Sequence, residues 1–452
     1  MSKVKDGTSF SSSIGFILSS AGSAVGLGNL WRFPYLASEY GGGVFLLVYL
    51  ILTVTFGFTL IITEVAIGRK TGLGVIGAYK SMHNKFGFLS TIASLVPIVI
   101  LPYYSLIGGW VTKYMISYIT GQGSIMSNSE YFHNFTSNTL EPIVYLLIFL
   151  TITTLIVLFG VQKGIENVSK FMMPILFLLT VGITIYALTI DGVSSCVKYY
   201  LIPNFSHFSI KTLLSALGQL FYSMSIATGV MITFGSYTPK DINIVKSVNQ
   251  IELWDTIMAF LSGLMIIPAV IFFEGLENMG QGAGLMFITL PKIFNEMPNG
   301  HIVGGLFFIL VFFAGITSAI SMMEAIVRIL MDRFSLKRTS ACILILISNF
   351  ILGVPSSLGY GVWEHIKILG MDILSFFDFL GNSVIMPIIA LTTCLLVSWF
   401  CNVQSIIDEI KFGGVTFKKE ALYKAMIKYV CPAFILAILI FSLLEGLGIV
   451  VV

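Results

Sequence analysis

The sequence predicts an all-α integral membrane protein with about eleven membrane-spanning helices. Of its 452 residues, 56% are hydrophobic and only 10% are charged. The apolar blocks each approach the roughly 20 residues that cross a bilayer as a helix. Two blocks, the first and the sixth, are interrupted by glycine and small polar residues. Because lipid offers no partner for a free peptide group, such interruptions are tolerated only where the backbone lines a cavity or contacts a ligand.

Hydropathy gives the order of the predicted helices along the chain. They lie near residues 13–36, 42–68, 88–120, 141–160, 166–190, 212–237, 251–275, 300–333, 340–360, 372–400 and 429–451. With the amino terminus inside, eighteen Lys and Arg residues, Lys3 and Lys5 among them, fall in cytoplasmic segments, against four outside. This bias predicts a multi-pass protein of the cell membrane with a cytoplasmic amino terminus and, after an odd number of crossings, an external carboxyl terminus.

The two interruptions fall in matching positions. The first helix is broken over Gly22–Asn29, and the sixth over Ser223–Gly229. Breaks five helices apart are typical of two inverted repeats of five helices, with a binding site at the membrane midplane between the broken helices. The prediction is therefore one transmembrane domain over 1–452, with repeats at 13–190 and 212–400 and an eleventh helix at 429–451.

An ordered series of motifs resembles the neurotransmitter:sodium symporter family, in particular its bacterial amino-acid transporters. The motifs are Ala24–Asn29, Trp31–Pro34, Gly41–Gly43, Glu64 to Arg69, Gln219–Ser225, Phe287–Pro291 and Ala314–Ser318. The likeness extends over about residues 10 to 400. It implies symport of an amino acid with Na⁺ by alternating access, with discontinuous helices 1 and 6.

The resemblance implies two sodium ions. Sodium site 1 resembles Ala24, Asn29, Ser223 and Asp255, and sodium site 2 resembles Gly22, Val25, Ala314, Thr317 and Ser318. Much of the family has Asn where this chain has Asp255. A fixed negative charge beside the ion offsets lost hydration better than an amide does. Animal relatives use a bound chloride near this site, so we expect transport here to be independent of chloride.

The substrate-binding residues follow from the same resemblance. They are Ala24, Gly26, Leu27, Ile100, Tyr104, Tyr222, Ser223, Ser225, Thr228, Ser318 and Met322. Free N–H groups at a half-helix amino terminus suit an α-carboxylate. Monoamine carriers of the family have an aspartate at the position of Gly26, so an amino acid is favoured here. The largely uncharged lining predicts a neutral, hydrophobic or aromatic side chain. Thr228 stands where the bacterial leucine carrier has an aromatic ring, which leaves room for a larger or aromatic substrate.

Gating residues are also implied. Arg32 and Asp378 resemble the outer gate, while Tyr237 and Asp332 resemble the inner gate. The amino-terminal arginine of the inner gate is missing, so Lys3 or Lys5 would have to replace it.

Other classes of function remain open or are disfavoured. An ion channel and a non-transporting amino-acid receptor or sensor on the same fold are alternatives. The sequence contains no nucleophile–base constellation and no paired metal-ligand spacing, so we expect no enzyme and no catalytic residues. Positive charges lie in short loops, which disfavours nucleic acid as a partner. The expected partners are a small amino-acid substrate and the lipid bilayer, and the protein could be a homodimer or a monomer.

Overall fold

A computed structural model describes residues 9–276, 279 and 282–446. Within these ranges the chain is α-helical, and the only β-pairings are isolated bridges at Gly42–Pro203 and Ile368–Met371. Nine uninterrupted helices of the described part are long and apolar enough to cross a membrane. Together with two interrupted segments they confirm the predicted all-α membrane architecture.

The nine continuous spans keep their predicted order. They are Gly43–Thr71, Asn84–Ile119, Glu141–Leu158, Val161–Thr189, Ile244–Phe273, Gly300–Phe334, Arg338–Leu358, Ile373–Phe400 and Glu420–Leu444. We number them second to fifth and seventh to eleventh. Short helices lie between spans, at Val75–Met82, Gly123–Met126, Ser129–Ser137, Leu290–Glu296 and Val403–Ile410.

The first and sixth segments are each two helices. The first consists of Ser13–Ala24 and Gly28–Glu39, whose axes differ by 51°. The sixth consists of Ile210–Ser223 and Val230–Ser236. Both discontinuities lie where glycine and small polar residues predicted them. The inverted relation between residues 13–190 and 212–400 stays a prediction.

The starts of two helices differ most from the sequence prediction. The seventh span begins at Ile244 rather than near 251, because the side chain of Asn243 caps it by accepting from the backbone N–H of Lys246. The eleventh begins at Glu420 rather than 429, as a polar turn that continues into the apolar helix. Its predicted end, and Lys3 and Lys5, lie outside the described residues.

The eighth span lies at the centre of the bundle, against the first, third, fourth and fifth. Buried residues make up 78% of its most apolar window, against 22% for the eleventh span, which is therefore peripheral. We call the side of the bundle at which Ser13 begins the first span the amino-terminal face. The other side, where the first span ends at Glu39, is the opposite face.

Candidate functional site

The break in the first span is held by a side chain of the same segment. The first helix ends at Ala24, and the backbone of Val25 turns to an extended conformation with φ −77° and ψ 94°. The amide oxygen of Asn29 accepts from the N–H of Gly26 at 3.2 Å. Asn29 therefore caps the interruption from within, as polar residues cap helix termini elsewhere.

The break in the sixth segment contains strained backbone. Ser225, Ala227 and Gly229 have φ of +52°, +62° and +80°, and only the last is a residue that adopts this region freely. A carboxylate oxygen of buried Glu64, on the second span, accepts from the N–H of Ala227 at 2.7 Å. This contact satisfies one of the backbone groups that the broken helix leaves free.

The two breaks are in direct contact. The hydroxyl of Ser23 donates to the hydroxyl of Ser225 at 3.2 Å, and Ser225 donates to the carbonyl of Ser23 at 3.0 Å. The last turn of the first helix and the non-helical backbone of the sixth segment, more than 200 residues apart in sequence, thus meet inside the bundle.

Asp255 is fully buried and accepts hydrogen bonds from three neighbouring side chains. Asn29 Nδ2 donates to Oδ1 at 2.8 Å, Tyr49 donates to Oδ2 at 2.8 Å, and the hydroxyl of Ser223 donates to Oδ1 at 2.5 Å. Since the seventh span begins at Ile244, Asp255 lies well inside a helix rather than at its end. The structure brings Asn29, Ser223 and Asp255 of predicted sodium site 1 together, and the fourth predicted residue, Ala24, is the last residue of the first helix.

The predicted residues of sodium site 2 lie between the first and eighth spans. The hydroxyl of Ser318 donates to the carbonyls of Gly22 and Ser23 at 3.2 and 3.1 Å. Thr317 faces Gly22, where an added Cβ would lie 3.1 Å from its side chain, but its hydroxyl bonds back to Phe313 and Ala314 of its own helix. Gly22 therefore contacts both Thr317 and Ser318. The hydroxyl of Thr317 and the carbonyl of Ala314, two groups of predicted site 2, are hydrogen-bonded to each other.

A small cavity of about 30 Å³, the central pocket, lies where these groups converge. Its lining includes every predicted substrate residue, namely Ala24, Gly26, Leu27, Ile100, Tyr104, Tyr222, Ser223, Ser225, Thr228, Ser318 and Met322. Four further lining residues, Ser23, Gly28, Asn382 and Met386, were not predicted. Ser23 and Gly28 adjoin predicted positions in the first break, whereas no local pattern indicates Asn382 and Met386.

Two glycines of the first break leave the space that the pocket needs. A Cβ on Gly26 would lie 2.6 Å from Ser318 Oγ and 3.1 Å from the hydroxyl of Tyr104, and a Cβ on Gly28 would lie 2.4 Å from the ring of Tyr222. The N–H of Leu27 points at the hydroxyl of Tyr104 at 3.5 Å. The hydroxyl of Tyr104 and the N–H of Leu27, which are joined only by this long contact, thus lie where an anionic group would be received.

The predicted outer-gate residues contact other partners in this conformation. Arg32 donates to the carbonyl of Gly218 at 3.3 Å and lies 5.1 Å from the ring centre of Tyr222. Asp378 accepts from the hydroxyl of Tyr103 at 2.9 Å and from Asn382 at 2.7 Å. Both Arg32 and Asp378 line a wider cavity of about 430 Å³ on the opposite face, which we call the vestibule.

The predicted inner-gate residues belong to two ionic groups on the amino-terminal face. Tyr237 donates to Glu324 at 2.8 Å, and Glu324 forms a two-pronged ion pair with Arg338. Asp332 pairs with Arg328, one turn away on the same helix, at 3.0 Å. Lys3 and Lys5 lie outside the described residues, so their predicted pairing with Asp332 stays a prediction.

Sequence comparison identifies the family. A sequence model of the sodium:neurotransmitter symporter family matches residues 8–139 and 133–447. The chain belongs to this family. It is a sodium-dependent, multi-pass membrane transporter and not an enzyme, as predicted.

The relatives cover nearly the whole chain. It is 35% identical to the uncharacterized sodium-dependent transporter YhdH of Bacillus subtilis, over 90% of each protein. An uncharacterized sodium-dependent transporter of Haemophilus influenzae is 31% identical over 97% of this chain and 99% of its own length. The rat sodium- and chloride-dependent GABA transporter 2 is 27% identical over 95% and 79%.

A solved structure supports the same fold. The crystal structure of MhsT in complex with L-phenylalanine superposes with a TM-score of 0.88 and 32% identity. It covers 96% of this chain and 99% of MhsT.

Proposed function

We propose that this symporter carries a neutral amino acid with a hydrophobic or aromatic side chain, driven by two sodium ions and without a chloride requirement. The observation that supports it most is the meeting of both helix breaks with buried Asp255 at the central pocket. The L-phenylalanine bound by MhsT supports the same class of substrate.

The amino-acid backbone would bind at the two breaks. The α-carboxylate is received by the N–H groups of Gly26 and Leu27 and by the hydroxyl of Tyr104, and the ammonium by carbonyls of Ala24, Tyr222 and Ser225. An aspartate at position 26 has no room beside Ser318 Oγ, which favours a substrate that brings its own carboxylate. Ile100, Thr228 and Met322 then surround the side chain.

Sodium would bind on either side of this substrate site. Asp255 forms site 1 together with Ala24, Asn29 and Ser223. Its carboxylate oxygens, which accept hydrogen bonds from neighbouring side chains, turn towards the ion. Gly22, Val25, Ala314, Thr317 and Ser318 form site 2 after the hydroxyl of Thr317 is released from its own helix. In animal relatives, a bound chloride supplies negative charge near site 1. Here the carboxylate of Asp255 supplies that charge, so transport does not require chloride.

Alternating access would proceed between Arg32 with Asp378 on the external side and Tyr237 with Asp332 on the cytoplasmic side. In this arrangement the amino terminus is cytoplasmic and the carboxyl terminus external, in agreement with the distribution of Lys and Arg. Ligands close the gates only if they favour the occluded state over the open ones.

Uptake into liposomes tests the proposal. Purified protein is reconstituted, an inward sodium gradient is imposed, and radiolabelled leucine, tryptophan, tyrosine, phenylalanine, methionine, alanine and glycine are compared. We expect saturable, sodium-dependent uptake of a large neutral amino acid. This uptake should change by less than about twofold when gluconate replaces chloride. Loss of a required ion that contributes about 1.4 kcal/mol to binding would instead lower it roughly tenfold.

Each alternative predicts a different result. Sodium-dependent binding without accumulation would indicate a receptor or sensor, and unitary currents would indicate a channel. A tenfold fall of uptake in gluconate would contradict chloride independence alone.

A further inference from the structure

The tenth span contributes two residues to the central pocket that the proposed substrate contacts do not use. Asn382 and Met386 are one helical turn apart and both line the pocket. They reach it because Gly381 packs against Ile100 of the third span, where an added Cβ would lie 2.9 Å from Ile100 Cγ1. The local π-helical winding of residues Phe379–Ile385 contains this contact.

The orientation of the Asn382 amide is fixed by its neighbours. Nδ2 donates to Asp378 Oδ1 at 2.7 Å and to the hydroxyl of Tyr103 at 2.9 Å. Tyr103 donates its own proton to Asp378 Oδ1, at 2.9 Å. Turning the amide over would set two acceptor oxygens, Asn382 Oδ1 and Asp378 Oδ1, against each other. The carboxylate therefore requires the NH₂ group on its side.

This arrangement leaves Asn382 Oδ1 as an acceptor to which no described residue donates. The serine and threonine hydroxyls of the pocket differ, because those of Ser23, Ser223, Ser225, Thr228 and Ser318 are all hydrogen-bonded within the protein. The hydroxyl of Tyr104 accepts from the N–H of Leu27, and that of Tyr222 can both donate and accept, whereas the amide oxygen of Asn382 can only accept. Ile100, Met322 and Met386 offer no strong donor or acceptor. A carbonyl that is cut off from water by a bound ligand loses a hydrogen bond unless the ligand supplies a donor.

We infer that Asn382 selects amino acids whose side chain carries a hydrogen-bond donor, which within the proposed hydrophobic and aromatic class means the indole N–H of tryptophan and the phenol O–H of tyrosine. The inference rests on the proposed function, because it assumes that an amino-acid side chain fills this pocket. Phenylalanine, leucine and methionine bind the same apolar wall but leave Asn382 Oδ1 unpaired.

Competition with methylated substrates tests the inference. Methylation of the indole nitrogen or of the phenol oxygen removes the donor and retains the ring, so tryptophan is compared with 1-methyltryptophan and tyrosine with O-methyltyrosine. We expect each methylated compound to bind the wild-type protein about three- to tenfold more weakly, the range of one neutral hydrogen bond.

The variant Asn382→Leu separates the hydrogen bond from steric exclusion of the methyl group. It removes the acceptor, so both affinity ratios should fall to about one. The loss of the contacts to Asp378 and Tyr103 lowers the affinities of both members of a pair alike and cancels in the ratio. Met386→Leu changes the same wall without changing a donor or acceptor, and it should keep the wild-type ratios. Asn382→Ala is used in the same way if the leucine variant does not fold.

Ratios near one in the wild type, or ratios that persist in the Asn382 variants, would overturn the inference while leaving amino-acid transport intact. Absence of binding by every amino acid would instead contradict the proposed function.

Discussion

The two faces of the bundle are held in different ways. On the amino-terminal face, charged side chains bind distant segments directly, as in the buried ion pair of Arg69 with Glu409 at 2.7 Å. Glu166 likewise accepts from the hydroxyl and the backbone N–H of Ser11 at 2.5 and 2.8 Å. On the opposite face, Arg32 and Asp378 border the vestibule and contact separate partners. One face is closed by charge pairs, and the other holds a cavity that adjoins the site.

The difference indicates which face of the bundle stays closed and which face moves. Buried charges are costly unless they stay paired, so a paired network resists separation. Residues around an open cavity can change partners at little cost. We expect the conformation described here to resist opening on its amino-terminal face and to close on the opposite face when ligand binds.

The largest effect is expected from Arg338→Ala. This substitution leaves the fully buried carboxylate of Glu324 without its ion-pair partner, and it also removes the 2.8 Å bond to the carbonyl of Val157. Breaking such a pair costs about 3–5 kcal/mol in the free energy of unfolding, measured by chemical unfolding in detergent micelles. The control Arg333→Ala, at an exposed position of the eighth span, should change it by less than about 0.5 kcal/mol. Equal small losses in both variants would mean that the network does not stabilise this face.

A smaller loss is expected from Gly68→Ala, which tests how closely the amino-terminal face is packed. The added Cβ would lie 2.0 Å from the carbonyl oxygen of Ile232, a backbone atom of the sixth segment. Overpacking of this kind costs about 1–3 kcal/mol. Gly284→Ala is the matched control beside the vestibule, since nothing lies within 4 Å of its added Cβ and its φ is −59°. If the two alanine variants unfold at the same denaturant concentration, the proposed contrast between the faces is wrong.

The smallest effect on stability, with a larger one on transport, is expected from Asp378→Asn. In this conformation the substitution replaces a carboxylate that has no ion-pair partner among the described residues, so the free energy of unfolding should change by less than about 1 kcal/mol. If Arg32 pairs with Asp378 during closure, the rate of sodium-driven uptake should fall about tenfold, which corresponds to 1.4 kcal/mol of lost interaction. Glu364→Gln, in an exposed loop of the opposite face, provides the control. Unchanged uptake by Asp378→Asn would exclude the gating role.

Much of the site could be predicted because its residues stand in or beside motifs that are continuous in sequence. The break over Gly22–Asn29 gives its own cap, Asn29, and its own cavity-forming glycine, Gly26. Unpaired backbone groups are costly in lipid, so a glycine-rich interruption in an apolar segment indicates that the freed groups line a cavity or contact a ligand.

Contacts between distant segments could not be predicted in the same way. Tyr49 reaches Asp255 from the second span, and Asn382 reaches the pocket only because Gly381 packs on Ile100. Neither residue differs locally from its apolar surroundings in a way that indicates a site. The spacing of four residues between Arg328 and Asp332 indicates their pairing on one helix, whereas the resemblance implies a partner at the amino terminus.

The sodium dependence of equilibrium binding tests the central claim most directly. Binding of the best-transported amino acid is measured with purified wild-type protein, Asp255→Asn, and the exposed-loop control Asp191→Asn, while sodium replaces potassium at constant ionic strength. If the broken helices and Asp255 hold ion and substrate together, the wild type and the control bind saturably only in sodium, and Asp255→Asn needs at least about tenfold more sodium. Equal binding in potassium, or an unchanged sodium requirement in Asp255→Asn, would contradict the account.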